Sequence, residues 1–84
     1  MASVTITPDA LEQLAKLQRV IRERIGKLFA RLETWPMVSG VKALSGNLAG
    51  WYRLRTGDYR VRIRVEVENV IVDKIGHRSE FYED

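Results

Sequence analysis

Apolar and polar residues follow two different periods along the chain, and the change of period divides the sequence into two parts. Residues 3–7 alternate and are rich in β-branched side chains, which predicts a short strand. The Thr-Pro-Asp sequence at 7–9 is a helix-start signal, because threonine caps, proline fits the first helical position and aspartate complements the helix dipole. Apolar residues then recur three and four positions apart. This pattern predicts two consecutive helices, forming a hairpin, over residues 8–17 and 19–34.

The helical pattern ends at Trp35, since a residue before proline avoids the helical region and Pro36 follows. Residues 36–50 contain three glycines, two serines and an asparagine, and they are expected to form a loop with one short turn around residues 41–44. Neither flanking part is large enough to fold alone, so this loop is not a linker between domains. We therefore expect one domain over residues 1–84.

Strict alternation marks the C-terminal half of the chain. Residues 51–55 and 59–67 alternate between apolar and polar side chains, and the Thr-Gly-Asp sequence at 56–58 between them is typical of a β-hairpin. The sequence VIVDKI at 70–75, in which four of six residues are apolar and β-branched, predicts a third strand, placed inside the sheet. Residues 76–84 are expected to form a short tail.

The register of the hairpin decides where its arginines lie. A four-residue loop would pair Arg55 with Arg60 and Arg53 with Arg62, which brings the arginines to one face and the apolar residues to the core. Like charges directly opposite one another are unfavourable in a sheet, so an arrangement that accumulates them indicates an anionic polymer as ligand. The alternatives are a solvated face with no partner and a charge pattern imposed by the fold.

Composition excludes several classes of site and supports a role for the arginines in phosphate binding. The chain has no cysteine, which excludes disulfides, thiolate metal sites and a thiol nucleophile. Its lone histidine cannot build a histidine-rich metal site, and no cofactor is expected. No apolar run is long enough for a membrane span and no secretory signal is recognisable, so a cytoplasmic protein is expected. The net charge is only +3, but residues 51–64 hold five arginines against one acid, and guanidinium forks suit phosphate.

Two motifs in the C-terminal half resemble a known family. The sequence LRTGDYRV at 54–61 and the sequence IGHRSEFY at 75–82 resemble the RelE/ParE toxin superfamily. Its members show a Leu-x-Gly loop, here Leu44-Ser45-Gly46, then R-x-G-x-Y-R and a closing G-H-R-x-x-x-Y. The resemblance covers essentially the whole chain. It implies an α+β fold of an N-terminal strand, a two-helix hairpin and a three-stranded antiparallel meander, the RelE-like microbial RNase fold.

The resemblance implies one of two activities. RelE-like members cut messenger RNA, commonly in the ribosomal A site, whereas ParE-like members inhibit DNA gyrase and usually lack the basic catalytic constellation. The basic constellation of this chain favours a metal-independent endoribonuclease that inhibits translation. The main alternative is a ParE-like gyrase inhibitor without nuclease activity, and a plain nucleic-acid-binding protein or an inactive toxin is a third. The implied partners are a cognate antitoxin, messenger RNA and the ribosome, and operator DNA for a toxin–antitoxin complex.

The resemblance also implies roles for particular residues. Arg53 and Arg55 match basic strand residues of RelE-like toxins, and Arg60 matches the phosphate-contacting arginine after the hairpin. Arg78 and Tyr82 match the C-terminal arginine and the tyrosine that stacks on or positions a base.

The general base is the open point of this assignment. The RelE archetype carries lysines at the positions of Arg53 and Arg55, and an arginine cannot give up its proton in a protein. His77 is the candidate in their place, because imidazole titrates near neutrality; alternatively it only structures the tail by hydrogen bonding, and Glu80 is a less favoured base. We expect the hairpin arginines to converge with His77 and Tyr82 in one anion-receiving hollow. Three further cations are expected to contact backbone phosphates: Lys42, Arg62 and Arg64.

Overall fold

Two helices cover one face of a mixed β-sheet in the computed structural model, which describes residues 2–81. Along the chain the elements are β1 (Ser3–Ile6), α1 (Pro8–Ala15), α2 (Arg19–Leu32), β2 (Lys42–Ala43), β3 (Trp51–Thr56), β4 (Tyr59–Glu66) and β5 (Asn69–His77), with 3₁₀ turns at Gly46–Leu48 and Arg78–Glu80. Within the described residues the sheet has five strands in the order β1-β5-β4-β3-β2. β1 runs parallel to β5, and the other neighbours are antiparallel. The predicted order of strand, two helices and antiparallel meander is confirmed.

The first helix begins where its local sequence signal predicts. The Thr7 hydroxyl oxygen accepts a hydrogen bond from the Ala10 backbone N–H at 3.2 Å, and Pro8 occupies the first helical turn. A threonine cap satisfies one of the otherwise unpaired N–H groups at a helix start. Ala10 of α1 is completely buried. The helix α1 lies against β5, while α2 contacts β3. In the described part of the chain, neither helix combines the length and the apolar character that crossing a membrane requires.

The loop prediction for residues 36–50 is wrong at one point. Lys42 and Ala43, where a turn was expected, form the short edge strand β2 and pair with Arg53 and Tyr52 of β3. Two residues are too few to show a period, and their extended conformation depends on a partner about ten positions away in sequence. Local pattern therefore could not identify this strand.

The predicted hairpin register is confirmed. Arg55 pairs with Arg60 and Arg53 pairs with Arg62, across a tight turn in which Gly57 has a φ of 59°. That backbone conformation favours glycine. On the opposite face the apolar side chains of the sheet meet the helices in a core whose fully buried residues include Ala10, Ile25, Leu32, Val61, Ile63, Val70 and Val72.

A β-bulge interrupts the pairing of β4 with β5. Arg62 pairs with Lys74, whereas the next residue, Ile63, pairs with Val72, so that Asp73 is an extra residue on β5. A bulge changes the direction of a side chain relative to strict alternation. Here it lets Asp73 reach Arg62 across the sheet.

Candidate functional site

The sheet face turned away from the helices is strongly cationic, and we call it the arginine face. Because side chains alternate along a strand and directly paired residues share a face, the confirmed register places all the hairpin arginines on this side. Lys42 is opposite Arg53, and Lys74 is opposite Arg62, so both lysines belong to the same face. The arginine face thus comprises Lys42, Arg53, Arg55, Arg60, Arg62, Arg64 and Lys74.

A groove of about 370 Å³ opens at one side of the arginine face, where β2 ends after two residues. This volume lies within the range of small-ligand sites. Its loop wall is held by Arg31 of α2, whose Nη2 donates to the Ser39 carbonyl oxygen at 2.6 Å. The groove is lined by Gly40, Val41, Lys42, Arg53, Leu54 and Arg55. Three of its lining residues are therefore cations.

Arg60 lies below the surface of the face and supports the hairpin turn. The residue is 9% exposed, and its Nη1 donates to the carbonyl oxygens of Gly57 at 3.0 Å and Tyr59 at 3.3 Å. The guanidinium is therefore committed to the turn that sets the register of β3 and β4. Its charge still lies within the cationic face, beside Arg55 in the strand pairing.

The next two arginines of β4 are paired with carboxylates. Arg62 binds Asp73 through two hydrogen bonds, Nε to Oδ1 at 3.1 Å and Nη2 to Oδ2 at 2.7 Å. Arg64 binds Glu66 through its Nη1. Both guanidinium groups also lie against the ring of Trp51, with Cζ to ring-centroid distances of 5.0 Å for Arg62 and 5.7 Å for Arg64. Trp51 thus packs on the arginine face, and cation–π contact orders these two side chains.

His77 does not join the arginines, and the expectation that it would is wrong. It pairs with Tyr59, which packs against the core, and the two rings meet edge to face with centroids 5.6 Å apart. His77 Nδ1 accepts from the Ser79 backbone N–H at 3.1 Å and lies 3.0 Å from the Ser79 hydroxyl oxygen. The imidazole therefore caps the 3₁₀ turn that follows it, which is the tail-structuring alternative.

The tail closes the other side of the arginine face. A Cβ added at Gly76, opposite Arg60, would lie 3.0 Å from the Glu80 carboxylate, so Glu80 occupies that side of the sheet. Lys74 Nζ donates to the Glu80 carbonyl oxygen at 2.6 Å and lies 4.5 Å from the centroid of the Phe81 ring. Glu80 is consequently held beside β5 by local contacts rather than directed into the groove.

Arg78 lies on the rim near the hairpin turn. Its backbone N–H donates to the Asp58 carbonyl oxygen at 2.7 Å, and its Nε is 4.0 Å from the Asp58 carboxylate, with both side chains about two-thirds exposed. An exposed pair at that distance is weak, which leaves the Arg78 guanidinium available to a ligand. Tyr82 lies outside the described residues.

Sequence patterns missed two residues of this face. Asp73 and Lys74 fall in an apolar strand where simple alternation assigns them to opposite faces, and only the bulge brings both near Arg62. A bulge leaves no local sequence signal here, whereas the arginines of β3 and β4 follow from period-two alternation. Among residues 2–81 no group of three or more metal-ligating side chains comes together.

The chain is similar to known proteins over nearly its whole length. The family model described as the ParE toxin of type II toxin–antitoxin system, parDE, matches residues 4–82. A chain of the toxin–antitoxin complex RelBE2 from Mycobacterium tuberculosis is 30% identical, with a TM-score of 0.80 and coverage of 93% of this chain and 92% of that chain. A search of curated proteins gave no significant match.

Two further solved structures share the fold at lower identity. The isolated RelE toxin of Escherichia coli is 21% identical, with a TM-score of 0.77 and coverage of 92% of this chain and 84% of that chain. YafQ from Escherichia coli is 10% identical, with a TM-score of 0.77 and coverage of 98% and 99%. At these identities the similarity shows the fold alone, and it confirms the predicted α+β architecture.

Proposed function

The chain belongs to the RelE/ParE superfamily of toxins of type II toxin–antitoxin systems, and from this premise we propose that it is a metal-independent endoribonuclease of one domain. It acts in the cytoplasm, where it cleaves messenger RNA in the ribosomal A site and thereby inhibits translation. The observation that carries the proposal is that two arginines of β3 are directly opposite two arginines of β4 in the strand pairing, beside a cationic groove. Such a cluster of cations attracts an anionic polymer, and carboxylates pair with only two of its arginines in the contacts described above, Arg62 and Arg64.

The groove suits a phosphodiester undergoing attack by the neighbouring 2′-hydroxyl. The 2′-oxygen loses its proton and forms a bond to phosphorus, and the bond to the 5′-oxygen breaks as that oxygen takes a proton from water. The products are a 2′,3′-cyclic phosphate and a 5′-hydroxyl. Negative charge develops on the non-bridging oxygens during this step. Arg53 and Arg55 line the groove and can bind those oxygens through paired N–H groups, which is electrostatic transition-state stabilisation.

In this proposal the neutral amine form of Lys42 accepts the proton of the 2′-hydroxyl. It lines the same groove and is directly opposite Arg53. A lysine can exchange its proton and act as a general base, whereas an arginine cannot. His77 has no part in the chemical step of this proposal, because its imidazole caps the following turn on the other side of the sheet.

The remaining motif residues have supporting roles in the proposal. Arg60 holds the hairpin turn and adds its charge beneath the face. Arg78, exposed on the rim, binds the phosphate of a neighbouring nucleotide, as does Arg64 at the far end of β4. Tyr82 stacks on or positions a base, an assignment that rests on its place in the G-H-R-x-x-x-Y motif.

A cognate antitoxin is the proposed protein partner. The RelBE2 structure of Mycobacterium tuberculosis and the RelB–RelE structure of Methanococcus jannaschii are toxin–antitoxin complexes. On this chain, Leu11 and Val20 are apolar helix residues that are more than half exposed. An amphipathic antitoxin segment would cover them, and an acidic segment would neutralise the arginine face. We further propose that the resulting complex binds operator DNA.

Inhibition of DNA gyrase is the second candidate. The observation in its favour is that the family model matching residues 4–82 is that of the ParE toxin. A gyrase inhibitor would need the arginine face only for binding, so replacing Lys42 by arginine would leave its effect unchanged. Trapped gyrase–DNA complexes with intact messenger RNA would decide for this candidate.

The test is cleavage of messenger RNA on purified translating ribosomes. The wild-type protein is expected to cut within the A-site codon, whereas Arg55→Ala loses charge stabilisation and Lys42→Arg keeps the charge but loses the base. General acid–base catalysis contributes about 10²–10⁴-fold, so we expect a rate loss of that order for Lys42→Arg. Arg19→Ala is the matched control, because Arg19 is highly exposed at the first position of α2 and does not line the groove. Absence of cleavage by the wild-type protein would contradict the proposal.

A further inference from the structure

We propose that Asp73 is an internal counter-ion that competes with RNA phosphate for Arg62 and thereby lowers the affinity of the arginine face for RNA. This inference rests on the proposed function for the chemistry of the ligand. It adds a control on that surface which neither the family motifs nor the groove contains. The partner in competition is one phosphate group of single-stranded RNA.

Asp73 occupies the edge of the Arg62 guanidinium with which an arginine binds phosphate. Asp73 binds the Nε and Nη2 edge of Arg62 through both carboxylate oxygens, at 3.1 Å and 2.7 Å. Arginine uses the same fork, with two parallel N–H groups, for carboxylate and for phosphate. A phosphate that is to bind this edge of Arg62 must therefore displace the Asp73 carboxylate.

The pair is more protected than an ordinary surface ion pair. The side chains of Arg62 and Asp73 are 20% and 15% exposed, and the guanidinium also lies 5.0 Å from the Trp51 ring centroid. Partial burial reduces screening by water and salt. The ring and the bulge both restrict the two side chains, so the competition is with a preorganised partner.

Arg62 lies in the middle of the arginine face, so its neutralisation by Asp73 affects RNA binding across the whole face. In the strand pairing it stands between Arg53, which lines the groove, and Lys74, which contacts the tail. It is the cation that connects the two sides of the arginine face. An RNA strand crossing β3, β4 and β5 meets a neutralised site at the middle of its path.

The β-bulge in β5 is the local feature that brings Asp73 to Arg62. Lys74, not Asp73, is directly opposite Arg62, and Asp73 reaches the guanidinium because it is the extra residue in β5. If the pair served only to join the strands, its removal would alter stability and leave RNA binding unchanged. The two roles therefore predict different outcomes for RNA affinity.

The experiment measures binding of a short single-stranded RNA to the purified full-length chain by fluorescence anisotropy at several salt concentrations. Asp73→Asn keeps the shape of the side chain and removes its charge. For single strands each added phosphate contact steepens the salt dependence of log K by about 0.7, so binding should tighten about fivefold at 0.1 M salt and converge with the wild type near 1 M. Asp73→Glu should restore the wild-type values.

Two controls separate competition at Arg62 from a general change of charge. Glu68→Gln makes the same charge change in the β4–β5 turn and is expected to leave the salt slope unchanged. The double variant Arg62→Gln/Asp73→Asn removes both partners and should abolish the gain seen with Asp73→Asn. Circular dichroism and urea unfolding check that each variant is folded.

A wild-type affinity and salt slope in Asp73→Asn would overturn the inference, as would a gain that persists in the double variant. Messenger RNA cleavage is measured separately with the same proteins. A gain in binding without any cleavage would keep the Asp73 inference and reject the nuclease. Cleavage by the wild type without a gain in RNA binding by Asp73→Asn would keep the nuclease and reject the Asp73 inference.

Discussion

His77 occupies a family motif position, yet its side chain is committed to the backbone. Nδ1 accepts the N–H of Ser79, while the Glu80 carboxylate accepts the backbone N–H of His77 at 3.1 Å. Each of the two side chains satisfies a backbone donor at the start of the 3₁₀ turn, as in a capping box. The histidine thus positions the tail against β5, and the tail in turn borders the arginine face.

This role predicts how substitutions at position 77 behave. His77→Ala should lower the free energy of unfolding by about 1 kcal/mol, the usual value of a lost cap. His77→Asn, which can still accept the Ser79 N–H, should recover much of that loss. Urea unfolding measures both, and messenger RNA cleavage by the folded fraction should stay at the wild-type rate. A loss of cleavage of about 100-fold in a stable His77→Asn variant would instead identify the imidazole as the general base.

Single residues also show where sequence-based prediction succeeds for the site. Arg53, Arg55, Arg60 and Arg62 are correctly assigned to one face, because strict alternation and the short turn leave one sensible register. The pattern does not show what each guanidinium contacts, since those partners include carbonyl oxygens of the turn and a carboxylate of a different strand. Asp73 on Arg62 is such a partner.

Some elements are determined by residues close in sequence, and others by pairing with distant strands. α1 begins at its threonine cap and the β3–β4 hairpin follows its turn sequence, because both depend on residues within a few positions. β2 and the bulge in β5 depend on pairing with distant strands, and the sequence contains no local signal for either. The groove exists only because β2 is there, so its shape could not be predicted from sequence.

The turn between β4 and β5 carries backbone strain that a substitution can relieve. Val67 has a φ of 57° and is 97% exposed, and a β-branched residue is rarely found in this left-handed region. The conformation costs roughly 1–2 kcal/mol for a residue with a Cβ. Val67→Gly should therefore raise the free energy of unfolding by about 1 kcal/mol, less a part lost to the greater freedom of the unfolded chain.

Thermal unfolding tests this prediction at the turn. A gain of 1 kcal/mol corresponds to a rise in Tm of about 4–8 °C in a domain of this size. Glu68→Gly, at the neighbouring turn position, is the matched control and should lower stability, because it adds chain freedom without relieving a positive φ. A Val67→Gly variant that melts below the wild type would show that the positive φ at position 67 costs less than the chain freedom that glycine adds.

On the scale of the whole molecule, the two faces of the sheet have separate tasks. One face forms the core with α1 and α2, and the other gathers seven cations around a groove and a tail. The net charge of +3 conceals this separation, because the acids lie mostly elsewhere in the chain. A small fold can thus carry a cationic surface without losing its apolar core, and carboxylates such as Asp73 and Glu66 moderate that surface.

The central claim is that this cationic surface cuts messenger RNA during translation. The most direct measurement is to induce the protein in bacterial cells and map new RNA 5′ ends across the transcriptome. The account predicts new ends with 5′-hydroxyl groups inside translated codons, and their disappearance with Lys42→Arg. Unchanged RNA 5′ ends in cells whose growth is arrested, together with trapped gyrase–DNA complexes, would contradict it.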